Sequence, residues 1–212
     1  IQEAIDKYDN IYVPQGWYRI TETLKMKPDT KLIGLHPFGT QFRLDESTAA
    51  FSGFGGPKAM VESSEGGANM LMGIGINTGG YNYRAVGVKW MANADSYMND
   101  VKFVGGHGGL WKPKPGVEEP RGRWNRPARI SSPDNPVAAS GMDLAWDNQY
   151  WSLWVTNNGG GTFKDIWTAS TYATNGFYAN NTSTPGRIYA MSIEHHVRNE
   201  VRFSKVSNWK VY

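Results

Sequence analysis

The sequence predicts an all-β protein whose short strands stack as a parallel β-helix, preceded by one short helix. After residue 8, the apolar residues form short β-rich runs that proline and glycine separate. One pair of segments and one pair of residues near the C-terminus repeat at an offset of 23 residues, as stacked coils of a repeat protein do. A β-sandwich is disfavoured, because Asn-Gly hairpin turns between alternating strands are scarce, and Asn175-Gly176 is the example that fits.

The N-terminal elements follow from local patterns. Residues 1–8 predict an amphipathic helix with Ile1, Ala4, Ile5 and Tyr8 on one face. Residues 11–13 predict the first strand, which Pro14 and Gly16 end. Further short strands are predicted at residues 18–20, 24–26, 31–35 and 41–44.

The 23-residue offset predicts a specific stacking. It aligns residues 154–158 with residues 177–181, and it also relates Ile188 to Val211. Strands in neighbouring coils lie about 4.8 Å apart. The alignment therefore predicts side-chain amide ladders of Asn157 on Asn180 and of Asn158 on Asn181. Ordinary turn chemistry also explains paired asparagines, so both interpretations stay open.

Residues 105–141 break this pattern. The segment contains six prolines, with six basic residues against three acidic ones. Loops of this length are usually functional or disordered, so we predict a long Pro/Gly-rich excursion from the regular coils. The whole sequence, including this excursion, predicts a single domain over residues 1–212.

Composition excludes several classes of protein. The net charge of +3 is too small and too dispersed to predict nucleic-acid binding. The absence of cysteine excludes disulfides and thiolate metal sites. No apolar run approaches the roughly 20 residues of a membrane span. Adjacent His195 and His196 point to opposite faces of a strand, which disfavours zinc, so we predict no metal and no cofactor.

Two N-terminal motifs resemble those of a known superfamily. IQEAID at residues 1–6 and IYVPQGWYRI at residues 11–20 resemble the opening of pectate-lyase-like β-helices, in which a capping helix precedes a strand and turn. The resemblance implies a right-handed parallel β-helix. It is nearly silent on chemistry, because this fold hosts hydrolases, lyases, epimerases and phage tailspikes.

A second resemblance concerns the C-terminus. STPGRIYAMSIEHHVRNEV at residues 183–201 and NWKVY at residues 208–212 resemble the first β-helix of glycoside hydrolase family 55, the β-1,3-glucanases. In that family two β-helices lie side by side, and the second supplies the catalytic acid. The resemblance implies a secreted, periplasmic or cell-surface polysaccharide hydrolase of which this chain is the first half. Its expected partners are a polysaccharide and a second β-helix domain of the same protein, and we expect the last coil to be open or covered by another chain.

Glycoside hydrolysis uses a carboxylic acid together with a base or nucleophile, about 6.5–9.5 Å apart in inverting enzymes. Because the family's catalytic acid maps onto no position here, the candidates come from the residues alone. They are Asp143, Asp147, Asp165 and Glu194. Asp143 and Asp165 are 22 residues apart and would stack on neighbouring coils. Solvated surface carboxylates are the alternative.

Aromatic rings stack on the apolar faces of sugars, so a dense aromatic segment predicts a binding platform. The platform residues are Trp146, Tyr150, Trp151 and Trp154. Strand alternation would place His196 and Arg198 on the same face as Glu194, where they could bind sugar hydroxyls or form a structural ion-pair ladder.

Two other functions remain open. An acidic-polysaccharide lyase needs cations to neutralise a uronate, and the C-terminal segment provides Arg187, Arg198, Arg202, Lys205 and Lys210. A non-catalytic polysaccharide-binding or adhesin β-helix would need the aromatic platform alone. A hydrolase releases saturated ends, a lyase releases an unsaturated product, and a binding module leaves the polymer uncut.

Overall fold

The computed structural model describes residues 1–45, 47–79, 82–104, 149–169, 173–194, 196 and 198–212. The loop excursion predicted at residues 105–141 lies outside these residues, as do Asp143, Trp146 and Asp147.

The described residues form one helix and seventeen short strands. The helix and the strands before the gap are α1 (Gln2–Lys7), β1 (Asn10–Val13), β2 (Gly16–Arg19), β3 (Leu24–Lys25), β4 (Lys31–Gly34), β5 (Thr40–Arg43), β6 (Lys58–Glu62), β7 (Met70–Met72), β8 (Gly75–Asn77), β9 (Ala85–Trp90), β10 (Tyr97–Asn99) and β11 (Lys102–Val104). The strands after it are β12 (Gln149–Val155), β13 (Gly161–Ala169), β14 (Ala173–Thr182), β15 (Gly186–Ser192), β16 (Asn199–Val206) and β17 (Trp209–Val211).

These elements confirm the all-β class and the short N-terminal helix. The five strands predicted before residue 45 are all present, with bounds within two residues of those predicted. Tyr8 departs from the prediction, because its extended backbone ends the helix and its ring is exposed. Ile5 is fully buried, and Ile1 and Ala4 pack against the core as expected for one helix face.

All strand pairings in the described part of the chain are parallel, and they form two sheets. Every pairing within β1–β11 joins a strand to the one three places later in the chain, as β1 pairs with β4, β2 with β5, and β3 with β6. The larger sheet has eleven strands, and β13 joins its two rows because it pairs with both β10 and β11. The smaller sheet has six strands in the order β16-β14-β12-β9-β6-β3.

The side-chain amide of Gln2 protects the edge of the smaller sheet. Its Nε2 donates to the Lys25 carbonyl at 3.1 Å, and its Oε1 accepts from the Lys25 backbone N–H at 2.8 Å. The helix thereby satisfies polar groups that edge strand β3 would otherwise present to other chains.

One apolar cluster contains residues of both sheets. In the smaller sheet, Val61, Val88, Leu153 and Phe177 lie in register on four adjacent strands, and all belong to this core. Because successive side chains of a strand point to opposite faces, the residue after each of them faces away from the core. This alternation positions the outward residues of the site.

The predicted stacking of residues 154–158 on 177–181 is wrong by one residue. Strands β12 and β14 pair at an offset of 24, with Leu153 on Phe177 and Trp154 on Tyr178. An offset of 23 would place outward Trp154 on inward Phe177, and a one-residue slip moves every side chain to the wrong face. The proposed Asn157–Asn180 and Asn158–Asn181 ladders are therefore absent. The offset of 23 between Ile188 and Val211 is confirmed, because β15 and β17 pair in that register.

The last strand of each sheet is largely exposed. Val201 and Phe203 in β16 are 43% and 42% exposed, and Val211 in β17 is 62% exposed. Trp209 packs on Phe163 with ring centroids 5.6 Å apart, so the final strand still contacts the core.

Candidate functional site

A column of outward side chains crosses the six-stranded sheet, one from each strand. In register they are Lys25, Glu62, Lys89, Trp154, Tyr178 and Arg202. Their immediate neighbours Leu153, Val155, Phe177 and Ala179 belong to the core. We call this row the outward column. Its members are spaced by one strand separation, about 4.8 Å.

Aromatic rings occupy the centre of the outward column. Trp151 lies beside it, with its ring centroid 4.6 Å from that of Trp154 and 5.0 Å from that of Tyr178. Tyr150 contacts Trp151 at 5.4 Å. Tyr150, Trp151 and Trp154 are half-buried, and Tyr178 is 9% exposed. Together these rings form a packed aromatic cluster on the face away from the core, and Tyr150, Trp151 and Trp154 provide its accessible area.

Hydrogen bonds hold two of these rings in place. The indole Nε1 of Trp154 donates to Asn180 Oδ1 at 2.7 Å, and the Tyr150 hydroxyl donates to the Gly55 carbonyl at 2.9 Å. The structure thus brings together three of the four predicted platform residues. Tyr178 was not predicted, because the 23-residue alignment placed it opposite Val155.

Cations lie on both sides of the aromatic pair in the outward column. Lys89 Nζ is 5.4 Å from the ring centroid of Trp154, and the guanidinium carbon of Arg202 is 5.0 Å from that of Tyr178. Both distances are within the range of cation–π attraction. Lys89 also forms an ion pair with Glu62 at 2.9 Å.

Asp165 lies at a corner within β13. Its φ is +51°, and Asp100 has the same value at the equivalent position after β10. The structure therefore places Asp165 beside Asp100, which directly follows the adjacent strand β10, whereas its predicted stacking partner Asp143 is outside the described residues. Lys102 Nζ lies 3.1 Å from both the Asp100 carboxylate and the Asp165 carbonyl, and Lys164 Nζ lies 3.5 Å from the Asp165 carboxylate.

Trp167 contacts one described carboxylate candidate, Glu194, and lines a groove with the other, Asp165. A shallow open groove is lined by Lys102, Asp165 and Trp167, among others. Trp167 Nε1 donates to Glu194 Oε1 at 3.0 Å, and the Glu194 backbone N–H donates to Thr168 Oγ1 at 2.9 Å. Sequence analysis missed Trp167, because only the pairing of β13 with β15 brings Glu194 close to it.

His196 and Glu194 do not share one strand face. Strand β15 ends at Ser192 and β16 begins at Asn199, so the alternation assumed for residues 194–198 does not apply. The His196 side chain is fully buried, with Nε2 3.1 Å from Ser152 Oγ and Nδ1 2.5 Å from Glu200 Oε2. Arg198 is exposed, and its backbone N–H donates to the Thr174 carbonyl at 3.0 Å.

The order Ser152–His196–Glu200 matches that of an acyl-transfer triad. Ser152 is only 4% exposed, however, and the imidazole has no exposed surface. Since a nucleophile must reach its substrate, the geometry indicates a structural tie between β12 and β16. Roles of His196 and Arg198 in sugar binding stay predictions.

No protein-family model and no curated protein matches this chain. Its likeness to pectate-lyase-like β-helices and to family 55 hydrolases therefore stays a prediction from the motifs quoted above. Among the described residues, no helix has the length and apolar character needed to cross a bilayer, and no three His, Cys, Asp or Glu residues are grouped as a metal site.

Proposed function

We propose that the protein is a right-handed parallel β-helix that binds a polysaccharide on its outward column. Parallel pairing of each early strand with the third strand after it supports the β-helix, because three strands per coil produce this order. A right-handed course is the strong preference of parallel crossover connections. Binding to a polymer of this kind is most useful outside the cytoplasm, in the secreted, periplasmic or cell-surface location predicted from the resemblance.

The observation that carries the proposal is the packing of Trp151, Trp154 and Tyr178 on the face away from the core. Aromatic rings bury large apolar areas, and sugar rings offer apolar C–H faces of similar size. The rings are fixed by Asn180 and by each other, so little side-chain freedom is lost when a ligand binds.

Replacement of Trp154 tests this function. We expect Trp154→Ala to weaken binding of the recognised polysaccharide by about 1 kcal/mol or more, which is about fivefold or more, because a stacking ring is lost. The measurement is affinity electrophoresis or calorimetry with laminarin and with polygalacturonate. Trp17→Ala is the matched control, since Trp17 is 67% exposed but lies in β2 of the other sheet. Equal affinities of both variants and the unmodified protein would contradict the proposal.

A second candidate is hydrolysis of a β-1,3-glucan, with this chain forming the first β-helix of the enzyme. The observation that favours it is that Trp167 donates a hydrogen bond to Glu194 and lines the same groove as Asp165. If the catalytic acid lies in a second β-helix, Asp165→Asn and Glu194→Gln should slow laminarin cleavage without abolishing it. Cleavage of polygalacturonate alone, with a product absorbing in the near ultraviolet, would instead indicate a lyase.

A further inference from the structure

We propose that the polysaccharide bound on the outward column is anionic and that Arg202 contacts its negatively charged groups. This inference rests on the proposed function, because it names the substrate class of the same surface. It follows from the order of side chains along the column: cation, aromatic, aromatic, cation. The row spans three strand separations, about 14 Å.

The accessible aromatic area lies on β12, between the two cations. Tyr178 is only 9% exposed, and its ring contacts Trp151 and Arg202. Trp151 and Trp154 are half-buried, so they provide the area on which a sugar ring can stack. A glycan that stacks there has Lys89 on one side and Arg202 on the other.

Arg202 is the residue that we infer selects for negative charge. It is exposed, and no described carboxylate lies within ion-pair distance of its guanidinium. The Tyr178 ring orients the guanidinium, since its carbon lies 5.0 Å from the ring centroid. A planar guanidinium donates two parallel hydrogen bonds to a carboxylate or sulfate, so it suits uronate and sulfate-ester sugars alike.

The opposite end of the column limits the anionic ligand. Lys89 contacts Trp154 but shares its charge with Glu62, 2.9 Å away. The Glu62 carboxylate repels an anion placed beyond Lys89, which favours anionic groups of the ligand at the Arg202 end of the column. A row of aromatics and cations also resembles a surface for single-stranded nucleic acid. Glu62 within the row and the net charge of only +3 argue against a phosphate chain.

The test compares polygalacturonate and carrageenan, which are anionic, with neutral laminarin. We expect the unmodified chain to bind at least one anionic polymer about tenfold tighter than laminarin in low salt, with a smaller difference in high salt because exposed charges are screened. Arg202→Gln should lose about tenfold in affinity for that polymer, because a charge-assisted pair is lost. Arg202→Lys should lose less. Circular dichroism establishes that each variant is folded.

Arg187→Gln is the matched control, because it removes an exposed arginine from β15 in the other sheet. Equal loss in Arg187→Gln and Arg202→Gln would overturn the inference, since net charge alone would explain it. Tighter binding of laminarin would also overturn it, as would displacement of the glycan by a thymidine oligonucleotide at lower concentration. The proposed function fails in a different way: Trp154→Ala would leave the affinity for every glycan unchanged.

Discussion

A methyl group added at Gly176 should test how His196 packs against β14. The residue lies in β14 between Ser152 on β12 and Glu200 on β16, in the same register. A Cβ atom at Gly176 would lie 2.6 Å from His196 Cε1 and 2.7 Å from the Glu200 carbonyl oxygen, and it would also overlap the Ile193 side chain. The imidazole can reach both Ser152 and Glu200 because Gly176 has no side chain.

The Gly176→Ala substitution should therefore destabilise the protein. Overpacking of a tightly packed site costs about 1–3 kcal/mol, and here one of the opposing atoms belongs to the paired backbone of β16. A loss of about 2 kcal/mol lowers the melting temperature of a domain of this size by about 4–8 °C. Thermal and urea unfolding measure the change.

Gly56→Ala provides the matched control, because a Cβ there meets no atom within 4 Å. Both substitutions restrict the unfolded chain equally, an effect that stabilises the protein by about 0.4–1 kcal/mol. The difference between the two variants thus isolates the clash at Gly176. Unfolding free energies within about 0.5 kcal/mol of each other would refute the packing of His196 against β14.

Two further predictions concern stability. Trp90 is fully buried and its Nε1 donates to the Gly160 carbonyl at 2.9 Å, so Trp90→Ala should cost about 3–5 kcal/mol in urea unfolding, and a loss below 1 kcal/mol would contradict its place in the core. Asp165 has φ +51°, a conformation that asparagine tolerates better than alanine, so Asp165→Ala should be about 1 kcal/mol less stable than Asp165→Asn in the same assay. Equal stability of those two variants would show that the corner does not depend on the residue.

Local patterns were sufficient for the elements near the N-terminus. Proline and glycine end a strand through their own backbone chemistry, so the bounds of β1 to β5 were predictable from the sequence. The same holds for α1, whose apolar spacing matches one helix face. The parallel pairing of all described strands is in line with the predicted fold class.

The candidate site was only partly predictable. The aromatic density at residues 150–154 identified Tyr150, Trp151 and Trp154. Tyr178 and Arg202 complete the outward column only when the register is correct, and they follow Trp154 by 24 and 48 residues. The pattern of core residues in β12 and β14 indicates this register. An offset of 24 aligns the core residues Leu153 and Val155 with the core residues Phe177 and Ala179, whereas an offset of 23 would align Val155 with outward Tyr178.

By itself, the sequence determined the class of structure, the positions of the early strands and the aromatic character of one surface. The tertiary structure alone decided which side chains meet: Trp154 with Tyr178, Trp167 with Glu194, and His196 with Ser152 and Glu200. The physical reason is that strand limits depend on each residue's own backbone preferences. Contacts between strands depend on turn lengths, and the offset between stacked strands changes from 25 for β13–β15 to 23 for β15–β17.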